Sequence, residues 1–213
     1  MTRAEQLSLQ IVDKRSRTVV FVSHCLLNPN TRYLGGAADP DAGRAFVRRI
    51  EDTGTGIVQM PCPEQCAWGG VAKRFFLLAY GSRGSLLYAA RGIALPSFIL
   101  YTRLRYAALA RQQARQIADY ARSGVRVAGI VAVDGSPSCG LAVTLDIKKA
   151  FCLHAEADLS GIDAAQANRM VIESRAAGQG LYTSALQRQL RRRGLSVQWS
   201  AYDLIGEIRA GDG

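Results

Sequence analysis

The stretch Val127-Ala128-Gly129-Ile130-Val131-Ala132-Val133, running into Asp134-Gly135-Ser136-Pro137-Ser138-Cys139-Gly140, decides the fold. An unbroken run of small and β-branched apolar residues reads as a strand buried on both faces, as a parallel sheet requires. The Gly-, Ser- and Pro-rich loop stops it abruptly. The same pattern occurs twice upstream. Thr18-Val19-Val20-Phe21-Val22-Ser23 stops at His24-Cys25, and Ile57-Val58-Gln59-Met60 stops at Pro61-Cys62-Pro63.

Helical patterns separate these runs. One starts at Asp39 or Asp41, presents Ala45, Phe46, Val47 and Ile50, and ends at Gly54 and Gly56. A long amphipathic helix is predicted over Leu104 to Ser123, closed by Gly124. A further helix is predicted over Gly180 to Arg193, and Leu195 to Trp199 reads as a fourth strand. Strands alternating with helices predict one α/β domain over residues 1–213. It would be Rossmann-like, a parallel sheet with helices on both faces and right-handed crossovers. Residues 1–16 read as a loose arm or a short helix. Glycines break the chain from Gln65 to Ser97, so 65–103 is read as a variable lid or insertion, or an oligomer contact.

The 213 residues are 48% hydrophobic, enough for a real core. No apolar run is clean enough to span a membrane, and the polar N-terminal stretch is not expected to be a secretory signal. A cytoplasmic protein without a membrane partner is expected. The net charge of +10 favours anionic partners. The arginines are dispersed, and Arg191-Arg192-Arg193 suits a helix C-terminus, so a dedicated nucleic-acid function is not expected. Oligomeric state is not legible.

The five cysteines are odd in number and stand in an expected reducing compartment, which argues for metal or catalytic use over disulfides. Cys25, Cys62 and Cys139 each follow a predicted strand by a few residues. In a parallel sheet they share one edge, the carboxyl edge at which such folds bind ligands. Three converging thiolates are soft ligands for zinc, copper(I) or an iron–sulfur cluster. A structural zinc site wants four ligands, often in close pairs; only Cys62 and Cys66 approach such a pair. Three protein ligands leave a position open, as in a catalytic centre.

Three blocks carry a resemblance. They are Cys25-Leu26-Leu27 with Arg32-Tyr33 and Gly35-Gly36, then Pro61-Cys62-Pro63-Glu64, then Ser136-Pro137-Ser138-Cys139-Gly140. Together, over about a third of the chain, they resemble the thiouracil desulfidase family, in a divergent branch. Asn28 stands where that family has glycine and Thr31 where it has a second loop cysteine, and Lys73-Arg74 lies near the place of its Pro-Arg pair.

The resemblance implies a [4Fe-4S] cluster held by Cys25, Cys62 and Cys139, with one iron open to substrate sulfur. It implies a non-redox desulfuration, in which water replaces the thiocarbonyl sulfur of a small thiolated substrate such as a thiouracil-like base or nucleotide. The basic balance favours an anionic substrate. Glu64 and Ser136 lie in the motifs as candidate catalytic groups; Glu64 competes with a role at a helix N-terminus, Ser136 with turn chemistry. Asn28, Arg32 and Ser138 are candidate substrate-binding residues. Cys66 is left outside the ligand set, Cys152 is expected in the core, and His24 is expected to pack at a strand end. The competing functions are a cysteine-nucleophile enzyme acting through Cys139 without a cluster, a basic nucleic-acid binder and a zinc module.

Overall fold

The computed structural model describes residues 3–11, 13–37, 39–75, 83–157, 160–204 and 206. After a short helix α1 (Arg3–Gln10), strand β1 (Thr18–Val22) leads into a single helical turn, α2 (His24–Leu27). Helix α3 (Pro40–Glu51) follows, with Pro40 in its first turn and the Asp39 carboxylate accepting from Asp41 and Ala42 N–H groups. Then come β2 (Gly56–Gln59), α4 (Pro63–Ala67), α5 (Leu86–Ala89), α6 (Arg91–Arg122) and β3 (Arg126–Asp134). The chain continues through β4 (Val143–Leu145), α7 (Ile147–Glu156), α8 (Ala164–Glu173), β5 (Arg175–Ala177), α9 (Leu181–Arg191) and β6 (Trp199–Asp203).

The main sheet has the order β2-β1-β3-β6, all parallel. The α/β expectation therefore holds. Side chains alternate across the sheet. Phe21 of β1 meets Tyr120 of α6 edge to face at 5.7 Å, while Tyr202 of β6 meets Phe46 of α3 at 5.4 Å. The register puts Phe21 beside Ile130 and Trp199 on one face, and Val133 beside Tyr202 on the other. Helices thus flank both faces. Between β1 and β3 the strand order reverses: β2 follows β1 on one side, and β3 returns on the other. Such a switch point opens a crevice at the carboxyl ends.

Two boundaries differ from the sequence reading. The helix predicted from Leu104 begins at Arg91 and runs through Pro96, which lies inside it and forfeits the N–H bond to the Gly92 carbonyl. The fourth strand is Trp199–Asp203, not Leu195–Trp199. Gly194 adopts a left-handed φ of 66°, and Leu195 N–H bonds back to the Leu190 carbonyl. Leu195 therefore belongs to the end of α9.

No element was predicted between Gly140 and Gly180. The structure places there an antiparallel pair, β4 and β5, with α7 and α8 beside it. Their short apolar segments lack a long periodic stripe, so their stability comes from packing. Of the segment read as a lid, 76–82 lies outside the described residues.

Candidate functional site

Each cysteine loop is fixed by a different local device. Ser23, at the end of β1, is buried, and both its N–H (3.1 Å) and its hydroxyl (2.9 Å) donate to the Val131 carbonyl. This ties the start of the Cys25 loop to β3. Cys62 is the N-cap of α4, where its sulfur accepts from Gln65 N–H at 3.4 Å. The Cys139 loop is organised by Asp134. One of its carboxylate oxygens accepts from Leu141, Ala142 and Val143 N–H groups at 2.7, 2.9 and 3.2 Å. The N-terminus of α9 closes the same loop, with Tyr182 and Thr183 N–H groups both donating to the Ser138 carbonyl at 3.1 Å. Gly180 permits that approach, since a Cβ there would collide with the Ser138 carbonyl.

These loops surround a cavity of about 780 Å³ at the carboxyl edge of the sheet. Cys25, Cys62 and Cys139 all line it, together with Glu64, Ser136 and Ser138. Trp68, Val71, Ala72 and Lys73 form one wall. Residues of β4, α7 and α8, among them Leu145, Ala150 and Val171, form another. The covering layer thus draws on 145–171 as well as on the 65–103 segment. Tyr33 ties the first loop to this layer, its hydroxyl donating to Asn168 Oδ1 at 2.9 Å.

A compact polar group stands beside the thiols. Glu64 Oε1 accepts from Ser138 Oγ at 2.9 Å and from Ser136 Oγ at 3.3 Å. Glu64 Oε2 pairs with Lys73 Nζ at 2.6 Å, and both residues are buried. Burial works against the Lys73 charge, but the Glu64 carboxylate outweighs it and holds the ammonium above its ordinary pKa. The sequence reading did not assign Lys73 a role. It lies on a glycine-broken segment, has a left-handed φ of 49°, and reaches Glu64 only because the Gly69-Gly70 turn brings the chain back.

Burial raises all three thiols. Cys25 is pushed up to about 11, with Arg32 pulling against the shift, and Cys62 to about 12, with Glu64 adding to it. Cys139 lies well above the usual thiol value through burial, and Cys25 and Cys62 raise it further. The three sulfurs are thus electrostatic neighbours.

Behind them Tyr106 of α6 and Tyr182 of α9 meet edge to face at 6.4 Å; the Tyr182 hydroxyl is buried without a hydrogen-bond partner, and the buried Tyr106 hydroxyl stands beside Ser138. Burial raises the Tyr106 phenol, and Glu64, Cys139 and Cys62 raise it further. An unsatisfied donor such as the Tyr182 hydroxyl is uncommon and calls for an acceptor. Nothing in the sequence marks these tyrosines, which sit in ordinary helical core positions.

The chemistry of the donor set fits a sulfur-rich cationic group: soft thiols that repel one another as thiolates, with the unpartnered Tyr182 hydroxyl behind them. Among the described residues, no three His, Cys, Asp or Glu side chains are grouped so as to hold a metal ion.

The other candidates fall as follows. Arg32 is buried, lines the cavity, and donates from Nη1 to the Gly36 carbonyl at 3.2 Å. Asn28 is not among the lining residues; its carboxamide oxygen accepts from Asn30 N–H at 3.2 Å and so caps the Pro29–Thr31 turn. Cys66 is exposed and stands outside the cavity. Cys152 is exposed on α7, not in the core as expected, because the buried face of that helix is Ala150, Phe151 and Ala155. His24 lines the cavity, its Nδ1 2.8 Å from Gln59 Nε2, and burial lowers its pKa. His154 also lines it, with Nδ1 2.8 Å from the Ala150 carbonyl.

No protein-family model, no curated protein and no solved structure matches this chain.

Proposed function

We propose that this protein is a desulfidase that holds a [4Fe-4S] cluster on Cys25, Cys62 and Cys139 and replaces the thiocarbonyl sulfur of a small substrate by oxygen. One observation carries the reading. The three cysteines, far apart in sequence, line a single cavity with a buried carboxylate–hydroxyl group at their side. The motif resemblance supports the same chemistry. When bound, such a cluster supplies a Lewis-acidic iron for the departing sulfur.

The chain's own residues do the rest. Glu64, held by Lys73 and the two serines, is placed to take a proton from water as its oxygen attacks the thiocarbonyl carbon. The C–O bond forms and the C–S bond breaks; sulfur leaves as hydrosulfide carrying the second water proton, and Glu64 releases the first to solvent. Ser136 and Ser138 orient the carboxylate. Ser136 Oγ also accepts from Cys139 N–H at 3.1 Å, which couples Glu64 to the cysteine loop. Lys73 keeps the buried carboxylate compensated. Apolar side chains from β4, α7 and α8 line one side of the cavity.

The cluster-free cysteine-nucleophile alternative fits less well. A nucleophilic thiol needs a lowered pKa, and burial raises that of Cys139.

Anaerobic reconstitution with iron and sulfide tests the proposal. About four irons per chain and a cluster-type visible absorption are expected, both lost in Cys25→Ala, Cys62→Ala and Cys139→Ala. A folded wild-type protein that takes up no iron would sink it. Sulfide release from thiolated bases and nucleotides then identifies the substrate.

A further inference from the structure

The N-terminal half of α6 carries a row of aliphatic side chains in solvent. Ile93, Leu100 and Leu104 follow at steps of seven and four, which puts them on one face of the helix. They are 78%, 59% and 63% exposed. The buried face is a different one, formed by Thr102, Tyr106, Ala110 and Ala114. Just upstream, Leu86 of α5 is 90% exposed. Single exposed leucines are ordinary on a protein surface, but a row along one helix face marks a docking surface.

The charge around this row has one sign. Apart from Lys73, which is buried against Glu64, the sequence from Gln65 to Ala118 holds seven Arg residues and no Asp or Glu. Arg103 and Arg105, both exposed, flank Leu104. Arg111, seven residues beyond Leu104, continues the same face, and it too is exposed.

We propose that this face docks on an anionic lipid surface, with Ile93, Leu100 and Leu104 entering the headgroup boundary and the arginines pairing with acidic headgroups. An interface of acidic lipids offers both kinds of partner within one side-chain depth. A second copy of the chain would cover the aliphatic row but would bring two all-cationic segments together. A nucleic acid would satisfy the arginines and leave the leucines in water, and it would find no row of aromatic residues to stack on. No described helix is long and apolar enough to cross a membrane, and this mode requires none: the helix lies along the surface. The sequence-based expectation of no membrane partner rested on the lack of a spanning segment and so did not test this mode.

The full-length protein is sedimented with vesicles of phosphatidylcholine mixed with phosphatidylglycerol, and with vesicles of phosphatidylcholine alone. Sedimentation with the mixed vesicles only, falling with added salt, is expected. Arg103→Ala and Arg111→Ala should each weaken it about fivefold. Leu100→Ser/Leu104→Ser should abolish it with circular dichroism and thermal midpoint unchanged, because both positions are exposed. No binding to either vesicle, or binding that ignores both sets of variants, overturns the proposal. So does a dimer at sedimentation equilibrium that Leu100→Ser/Leu104→Ser dissociates, or RNA that displaces the vesicles in a salt-dependent way.

Discussion

The carboxylate of Glu64 and the ammonium of Lys73 are paired at 2.6 Å with both side chains almost wholly out of solvent. Breaking a buried pair from one side leaves an uncompensated charge. Lys73→Ala should therefore cost about 3–5 kcal/mol in urea unfolding. Glu64→Gln also leaves the Lys73 ammonium uncompensated and should cost stability, but it preserves side-chain shape and removes the proton acceptor, so turnover of the folded variant should fall about 10²–10⁴-fold while iron content is retained. Equal turnover in wild type and Glu64→Gln would remove Glu64 from the mechanism.

The cysteines outside the cavity serve as controls. Cys66→Ala and Cys152→Ala should reconstitute as fully as wild type, because both residues are exposed and neither lines the cavity. Iron loss in Cys66→Ala would enlarge the ligand set.

The metal-free protein should lose stability in alkali. The three cavity thiols lie above their ordinary value of 9.0, Cys25 at about 11 and Cys62 at about 12. Above pH 9 the unfolded thiols release their protons first, so the native state binds more protons than the unfolded one, and stability falls as pH rises. Below that pH the contribution is complete; it is lost as pH rises towards 11 and 12. Tyr106 and Tyr182, both raised by burial, act in the same direction. Thermal midpoints of the reduced, metal-free protein should decline across this range. A flat profile would contradict the burial of these groups.

The Cys139 loop should depend on residues that never touch substrate. Asp134→Ala removes three hydrogen bonds to backbone N–H groups and should cost about 2–3 kcal/mol. Gly180→Ala forces α9 away from the Ser138 carbonyl. Both variants should reconstitute poorly while staying folded by circular dichroism. Full iron uptake in either would show that the loop is held by other means.

The sequence by itself determined the parallel sheet and the edge on which the chemistry sits. Buried strands need continuous apolar runs, and each of the three runs ends in a turn-forming loop with a cysteine, so both features are local. Asp39 as a helix start, Gly124 as a helix end, and Glu64 and Ser136 beside the cysteines were legible for the same reason. The order β2-β1-β3-β6 was not, because strand order depends on which helix packs on which face. Nor was the roof of β4, α7 and α8, whose segments are too short to show a period and are stabilised by packing. Lys73 was recovered only from the fold. Its partner lies across a reversed turn, and such a pairing depends on distance in space, which local pattern does not encode. The same holds for Tyr106 and Tyr182, ordinary core residues by pattern, whose hydroxyls stand buried behind the cysteines only because of where α6 and α9 carry them.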